Sequence, residues 1–302
     1  LSIFTDRDTQ KKKYITLNNN KNNHIFLAGK RGSGKTTCIK EIIKKCQKNS
    51  IFTIALDYHG EFYKKIEGIH VDTDQGLPFD LFEIPYDPVR KRRMKTSDHA
   101  EMITGIIDKI IPGCGPLQKS TIRSLIENCY SNHWIFEEDD LNQQCNDKFK
   151  SQVMDLQSGN SSDKRIFERL SLIVKKNLFV KNEAIRKNYD ILKKNINILI
   201  NTHIETFDNM LTKIIINYLY YKYLSKRSGK RLSNMVIIDE AHKVGSFEKL
   251  NRLLKEARKY GVSILIASQE FKDVSQTILT NTRYHIIMNL GDNDANRYLD
   301  SI

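Results

Sequence analysis

The residues with the clearest chemical meaning lie close to the N-terminus. Residues 29–36 read G-x-x-x-x-G-K-T and directly follow the apolar run 25–28. Glycines allow positive φ values and bring backbone N–H groups near the oxygens of a polyphosphate, at the positive end of the following helix. Lys35 would contact the β- and γ-phosphates, and the Thr36 hydroxyl would complete a magnesium shell. The predicted phosphate-binding residues are Gly29, Arg31, Gly32, Ser33, Gly34, Lys35, Thr36 and Thr37.

Two acidic residues downstream match this loop. The apolar run 235–238 is typical of a strand buried on both faces, and it ends in Asp239 and Glu240. Asp239 is suited to hold Mg²⁺, and Glu240 to orient and deprotonate the water that attacks the γ-phosphate. A surface acidic turn is the alternative, and a chance glycine-rich turn is the alternative for residues 29–36. The order of strand, loop, amphipathic helix and acidic strand favours a nucleotide site.

Gln269 follows a third apolar strand, residues 262–267. Ligands of parallel α/β sheets gather at the carboxyl ends of the strands, so Gln269 is placed to sense the γ-phosphate and position the attacking water. An ordinary polar strand end is the alternative. Asp57 ends a further predicted strand, residues 51–56, where it would support the metal site or cap a helix.

The stretch between Asp57 and Met235 is far longer than a strand-to-strand crossover needs, which predicts an inserted subdomain. Apolar spacing predicts helices over 98–111, 117–130, 163–176 and 204–224, and a strand over 196–200. The polar segment 138–162 is predicted to be a flexible excursion. The fold class is therefore α/β, with residues 1–84 and 191–302 forming the core and 85–190 a mainly helical insertion.

Composition narrows the partners. The 49 Lys and Arg residues against 36 Asp and Glu give a net charge of +13, which favours a polyanion such as nucleic acid. The five cysteines are scattered and odd in number, as expected for reduced thiols in a cytoplasmic protein. No apolar run approaches the roughly 18 residues of a membrane span, and no secretion signal is visible.

The same motifs, in this order, resemble the HerA/FtsK class of ATPases, and most of all the HerA central domain. The resemblance extends over several short segments along the whole chain. These are residues 29–37, 57–62, 78–81, 116–118, 236–242, 256–261, 267–269 and 278–282. It implies a RecA-like P-loop core with a mostly parallel sheet that binds ATP and Mg²⁺. It also implies a homo-oligomer, a hexameric ring, that translocates or unwinds double-stranded DNA beside a partner nuclease.

The resemblance also implies roles for individual residues. Lys35 and Thr36 would bind phosphate and Mg²⁺, Glu240 would be the catalytic carboxylate, and Gln269 the sensor. Arg258 matches the arginine that such ATPases present across the subunit boundary, where it neutralises charge on the γ-phosphoryl group. A solvated arginine at a helix C-terminus is the alternative, and Arg283 is a second candidate for the same role.

The chain departs from the HerA pattern at its ends. Only 28 residues precede Gly29, where HerA proteins carry a β-barrel, so the chain is either trimmed or belongs to a shorter branch. The leading interpretation is an ATP-driven motor on duplex DNA. The alternatives are a conjugation, secretion or viral DNA-packaging ATPase, and a nucleotide-gated scaffold of an antiviral defence complex.

Overall fold

The structure is a computed structural model of the 302-residue chain. It describes residues 2–5, 12–17, 21–84, 86–87, 91–110, 114–130, 139–175, 182, 190–224, 231–244, 247–270 and 273–289.

The chain divides into two compact units. The first comprises Leu1–His70, Asp190–Ile200 and Ile216–Ile302, and the second comprises Val71–Tyr189 and Asn201–Ile215. The helical insertion predicted over 85–190 falls within the second unit except for its last residue. Among the described residues, no helix has both the length and the apolarity that crossing a membrane requires.

Eleven strands lie in the described parts of the chain. They are β1 (Ser2–Thr5), β2 (Lys12–Tyr14), β3 (Ile25–Gly29), β4 (Phe52–Asp57), β5 (Ile69–Asp72), β6 (Tyr86–Asp87), β7 (Arg92–Arg93), β8 (Ile196–Leu199), β9 (Asn234–Ile238), β10 (Val262–Ser268) and β11 (Tyr284–Met288).

Seven of these strands form one sheet in the order β11-β3-β10-β9-β4-β8-β5. The pairings from β11 across to β8 are all parallel, which confirms the predicted α/β fold with a mostly parallel sheet. The register aligns Leu56 with Ile238 and Ile238 with Ile266, so the carboxyl ends of β4, β9 and β10 meet at one edge. Strand β10 lies between the phosphate-loop strand β3 and the acidic strand β9.

The described helices are α1 (Lys35–Lys48), α2 (Thr96–Ile110), α3 (Pro116–Tyr130), α4 (Asp139–Asp155), α5 (Ser161–Lys175), α6 (Glu205–Leu224), α7 (Glu248–Glu256) and α8 (Gln276–Asn281). Helices α2, α3, α5 and α6 match the sequence prediction to within two residues at each end. A 3₁₀ turn, Ala257–Tyr260, continues α7 and ends at Gly261, whose φ of 68° suits glycine.

The core of the first unit is aliphatic. Strands β3 and β10 are buried along their whole length, and α1, which packs on β3 and β4, contributes Ile39, Ile42, Ile43 and Cys46, all fully buried. These four side chains follow the spacing i, i+3, i+4, i+7, so one face of α1 carries them all. This packing fixes the start of α1, and with it the loop that precedes the helix.

In the second unit, α2 packs on α3, α3 on α4, and α4 on α5. Phe82 contacts the rings of Tyr130 and Phe149, and His99 Nδ1 lies 2.7 Å from the Tyr130 hydroxyl. Burial lowers the pKa of His99 to about 3, so its imidazole is neutral at physiological pH.

The flexible excursion predicted over 138–162 is wrong for the described part of that segment. Residues Asp139–Asp155 form α4, and a 3₁₀ turn follows at Leu156–Ser158. The helix buries Cys145, Phe149 and Val153 at a spacing of four, one residue per turn. So narrow an apolar stripe in a polar sequence leaves little periodic signal, and tertiary packing supplies most of the stability of such a helix.

Candidate nucleotide site

The glycine-rich loop joins β3 to α1 at the carboxyl edge of the sheet. Gly32 and Gly34 have φ values of 78° and 96°, which the sequence predicted by placing glycines there. A side chain at Gly29 would collide with the backbone carbonyl of Met288 on β11 and with the Ser33 hydroxyl. Helix α1 then begins at Lys35, so the first N–H groups of a buried, well-packed helix point toward the loop.

Lys35 folds back over this loop. Its Nζ donates a hydrogen bond to the Gly29 carbonyl and another to the Lys30 carbonyl at 3.2 Å. Burial lowers the pKa of Lys35, and the nearby Glu240 and Asp239 oppose that shift. The ammonium group is therefore held at the mouth of the loop by neutral carbonyls that a phosphate can replace.

Asp239 directly follows β9 and is 6% exposed. Its pKa is raised to about 7, mainly by burial and also by the carboxylates of Glu240, Asp57 and Glu61, whereas Lys35 lowers it. The positive charge of Lys35 therefore compensates the carboxylate only in part. A divalent cation held between Asp239 and the Thr36 hydroxyl would supply that charge, so the donor set fits Mg²⁺.

Glu240 is almost completely buried, with 3% of its surface exposed. Its Oε1 accepts hydrogen bonds from Gln269 Nε2 at 2.8 Å and from His59 Nε2 at 3.1 Å. Its Oε2 lies 3.2 Å from His242 Nδ1. Within the described residues, however, Oε2 has no partner of hydrogen-bonding geometry. One carboxylate oxygen is therefore fixed by two donors, and the other is buried without a hydrogen-bond donor among the described residues.

Asp57 does not enter the cavity. Its fully buried carboxylate accepts hydrogen bonds from the backbone N–H groups of His59, Glu61, Phe62 and Tyr63, at 2.8 to 3.2 Å. Asp57 thus organises the loop after β4. Of the two predicted roles, metal support and helix capping, this is closer to capping, although the capped segment is a turn and not a helix.

This loop brings His59 and Glu61 to the site, and both were absent from the predicted site residues. The available signal was their position, because they follow a buried strand at the same edge as Asp239. Gly60 between them has a φ of 66°, which lets the loop turn so that both side chains face the same way.

A cavity of about 720 Å³ gathers most of the predicted residues. Its lining consists of Arg31, Gly32, Gly34, Lys35, Thr36, Thr37, His59, Glu61, Asp239, Glu240 and Gln269. Of the predicted phosphate-binding residues, Gly29 and Ser33 are not part of this lining. They lie close to each other, since a side chain at Gly29 would meet the Ser33 hydroxyl. The volume is sufficient for a nucleotide, since ligand pockets commonly measure 300 to 1,000 Å³.

Arg258 lies away from this cavity. It is exposed in the 3₁₀ turn that precedes β10, at the amino edge of the sheet. Seven residues of β10 separate the two edges, which is a distance of roughly 20 Å. Arg283, also exposed, precedes β11 at the same edge and lies over the Tyr284 ring. Neither arginine is placed to contact a phosphate bound by its own chain.

Two family models and one relative match parts of this chain. A family model described as the DNA-binding domain of type IV secretion-system coupling proteins matches residues 15–75. A second, described as the TraM recognition site of TraD and TraG, matches residues 233–300. The DNA double-strand break repair helicase HerA of Saccharolobus solfataricus is 22% identical over 299 residues, which cover 91% of this chain. The aligned region spans 56% of that relative's length.

Solved structures show the same fold. VirB4 of Thermoanaerobacter pseudethanolicus superposes with a TM-score of 0.74 at 14% identity, covering all of this chain and 87% of that one. The plasmid coupling protein TrwB, solved with a non-hydrolysable GTP analogue, gives a TM-score of 0.56 at 14% identity, covering 92% and 72% of the two chains. Another TrwB structure contains ADP and Mg²⁺.

In this parallel sheet, a phosphate loop, an acidic strand end and a polar strand end open into one cavity. This arrangement, together with the fold, defines a RecA-like P-loop ATPase. The relatives support the predicted resemblance to the HerA/FtsK class of P-loop ATPases.

Proposed function

We propose that this chain binds ATP and Mg²⁺ in the cavity, hydrolyses the γ-phosphate bond, and uses that reaction to move double-stranded DNA. The observation that carries the proposal is the state of Glu240. A buried carboxylate with one oxygen held by two donors, and the other unbonded among the described residues, is arranged as a general base.

The phosphate loop, Asp239, Glu240 and Gln269 would each have a part in this reaction. The N–H groups of residues 32–36 and the Lys35 ammonium would hold the β- and γ-phosphates, after Lys35 exchanges its carbonyl partners for phosphate oxygens. Mg²⁺ held by Thr36 and Asp239 would neutralise charge on the same oxygens. Glu240 Oε2 would accept a proton from the attacking water, and Gln269 would contact the γ-phosphate.

The case for DNA depends on charge and on the relatives. The net charge of +13 favours binding to a polyanion such as DNA. The curated relative is named a double-strand break repair helicase, and one matching family model describes a DNA-binding domain. We further propose a homo-oligomeric, hexameric ring. A partner nuclease is suggested only by the resemblance to HerA.

Steady-state ATP hydrolysis tests this function. We expect duplex DNA to stimulate turnover, and DNA binding to weaken steeply with salt, because Lys and Arg contacts release counterions from the phosphate backbone. Lys35→Ala serves as the control for contaminating activity and should lose turnover. Absence of ATP hydrolysis, with and without DNA, would overturn the proposal.

A conjugation or secretion ATPase that moves protein is the second candidate. The match to the TraM recognition-site model and the overlap with VirB4 favour it. Under this function, hydrolysis would be indifferent to duplex DNA and would respond to a component of the secretion apparatus. The DNA titration above therefore separates the two candidates.

A further inference from the structure

Two side chains from different elements donate hydrogen bonds to the same oxygen of Glu240. Gln269 extends from the end of β10 and His59 from the loop after β4, and both donate to Oε1. The proposed function requires Gln269 to contact the γ-phosphate when ATP binds. At that point the Glu240 carboxylate loses one of its two donors.

We propose that His59 is a positioning residue for the catalytic carboxylate. Its Nε2–H holds Glu240 Oε1 while Gln269 engages the γ-phosphate, so that Oε2 remains directed at the attacking water. The inference rests on the proposed ATP hydrolysis and adds a residue to it.

The chemistry of the contact defines the imidazole. An ionised carboxylate only accepts hydrogen bonds, so His59 must carry its proton on Nε2 to make the 3.1 Å contact. His242 lies equally close, at 3.2 Å from Oε2, but without hydrogen-bonding geometry. Among the described histidines, His59 is thus the donor to Glu240.

Hydrogen bonds to Asp57 fix the backbone around His59. Asp57 is fully buried and accepts from the N–H of His59 at 3.2 Å and from that of Phe62 at 2.8 Å. Phe62 is itself fully buried and anchors the far side of the turn. By contrast, the His59 side chain is 58% exposed, so packing does not force it against Glu240. The contact is therefore a hydrogen bond from a loop whose backbone is held by Asp57.

Three variants test the proposal. His59→Leu removes the donor, whereas His59→Gln keeps an amide N–H close to the position of Nε2. His203→Gln is the matched control, since His203 is an exposed histidine outside the cavity lining. All three leave the backbone hydrogen bonds to Asp57 in place, and thermal unfolding would verify that each variant is folded.

We expect His59→Leu to lower kcat about 10- to 100-fold, with KM for ATP and the Kd of a fluorescent non-hydrolysable analogue changed less than about threefold. His59→Gln should recover kcat to within about threefold of the wild type. In a Glu240→Gln background, His59→Leu should cause no further loss, because it acts through the carboxylate.

Wild-type kcat in His59→Leu would overturn the inference, as would a His59→Gln variant that is as impaired as His59→Leu. A parallel loss of nucleotide binding would assign His59 to binding instead. These outcomes differ from failure of the proposed function, in which the wild-type protein and Lys35→Ala would be equally inactive.

Discussion

The charge of Asp239 is unfavourable in the nucleotide-free protein. Burial and three neighbouring carboxylates hold its pKa near 7, while the same group in an unfolded chain ionises near pH 4. A group whose pKa is raised by folding stabilises the native state fully below its unfolded pKa, and that contribution is lost as pH rises through the folded pKa. The stability of the metal-free protein therefore falls as pH rises from about 4 to 7, and above pH 7 the ionised Asp239 carries its full energetic cost, which a bound cation would offset.

Asp239→Asn tests this electrostatic strain. In metal-free buffer at pH 8 the substitution should increase the free energy of unfolding by about 4 kcal/mol at most, because it removes a buried group that is ionised in both states. At pH 5 the carboxyl is protonated in the folded protein but ionised in the unfolded chain, so the same substitution should have a smaller effect, about 1.5 kcal/mol. Urea unfolding of both proteins at the two pH values measures the difference.

The same variant should lose Mg²⁺-dependent nucleotide affinity, since the amide is a poor ligand for Mg²⁺. A substitution that destabilises equally at pH 5 and pH 8 would contradict the account of Asp239.

The site residues at strand ends could be predicted from the sequence, whereas those on the turn after β4 could not. Asp239, Glu240 and Gln269 lie at the ends of buried apolar strands, Lys35 lies in the glycine-rich motif that follows another, and parallel strands bring such positions together. His59 follows a strand as well, but its role depends on the direction of a turn. That direction is set by the four hydrogen bonds to Asp57, which spacing alone does not specify.

At the scale of elements, the loop after β4 depends on a single buried carboxylate. Hydrogen bonds from neutral N–H groups to a charged acceptor contribute about 1.5–3 kcal/mol each, and Asp57 accepts four of them. An asparagine there would turn its NH₂ group toward two of these N–H donors.

Asp57→Asn should therefore lower the free energy of unfolding by about 2–4 kcal/mol and reduce ATP turnover, because His59 is no longer held at Glu240. Asp190→Asn is the matched control. Asp190 is partly exposed and its side chain accepts one backbone N–H, from Leu192, so its loss should cost less than about 1 kcal/mol. Equal costs from urea unfolding of the two variants would contradict the role of Asp57.

Elements with weak sequence patterns were the ones missed. Strand β5 has four residues, of which only Val71 is buried, and it lies at the edge of the sheet, so it lacks the apolar run that marked β9 and β10. In the part of helix α4 whose burial is described, one apolar residue per turn is buried. In both cases stability comes from neighbours in the fold, which a single sequence does not show.

At the scale of the whole molecule, the position of Arg258 bears on assembly. Lying at the amino edge of the sheet, roughly 20 Å from the cavity of its own chain, it can reach a γ-phosphate only on another subunit. The proposed ring gives this exposed arginine a role that a monomer does not.

Mixing two inactive variants tests that role. Arg258→Ala keeps its own phosphate loop, and Lys35→Ala keeps its own arginine, so mixed oligomers should contain some complete sites and recover part of the ATP turnover. Arg252→Ala, which removes an exposed arginine six positions earlier, should stay active alone. Turnover that does not rise on mixing would return Arg258 to the role of a solvated surface charge.

The proposed mechanism requires one cavity that binds ATP opposite a carboxylate that activates water. Nucleotide affinity and single-turnover hydrolysis of Glu240→Gln, measured in parallel, test this requirement. We expect ATP binding within about threefold of the wild type and hydrolysis at least 100-fold slower, since the amide cannot accept the proton. Hydrolysis at the wild-type rate in Glu240→Gln would contradict the mechanism.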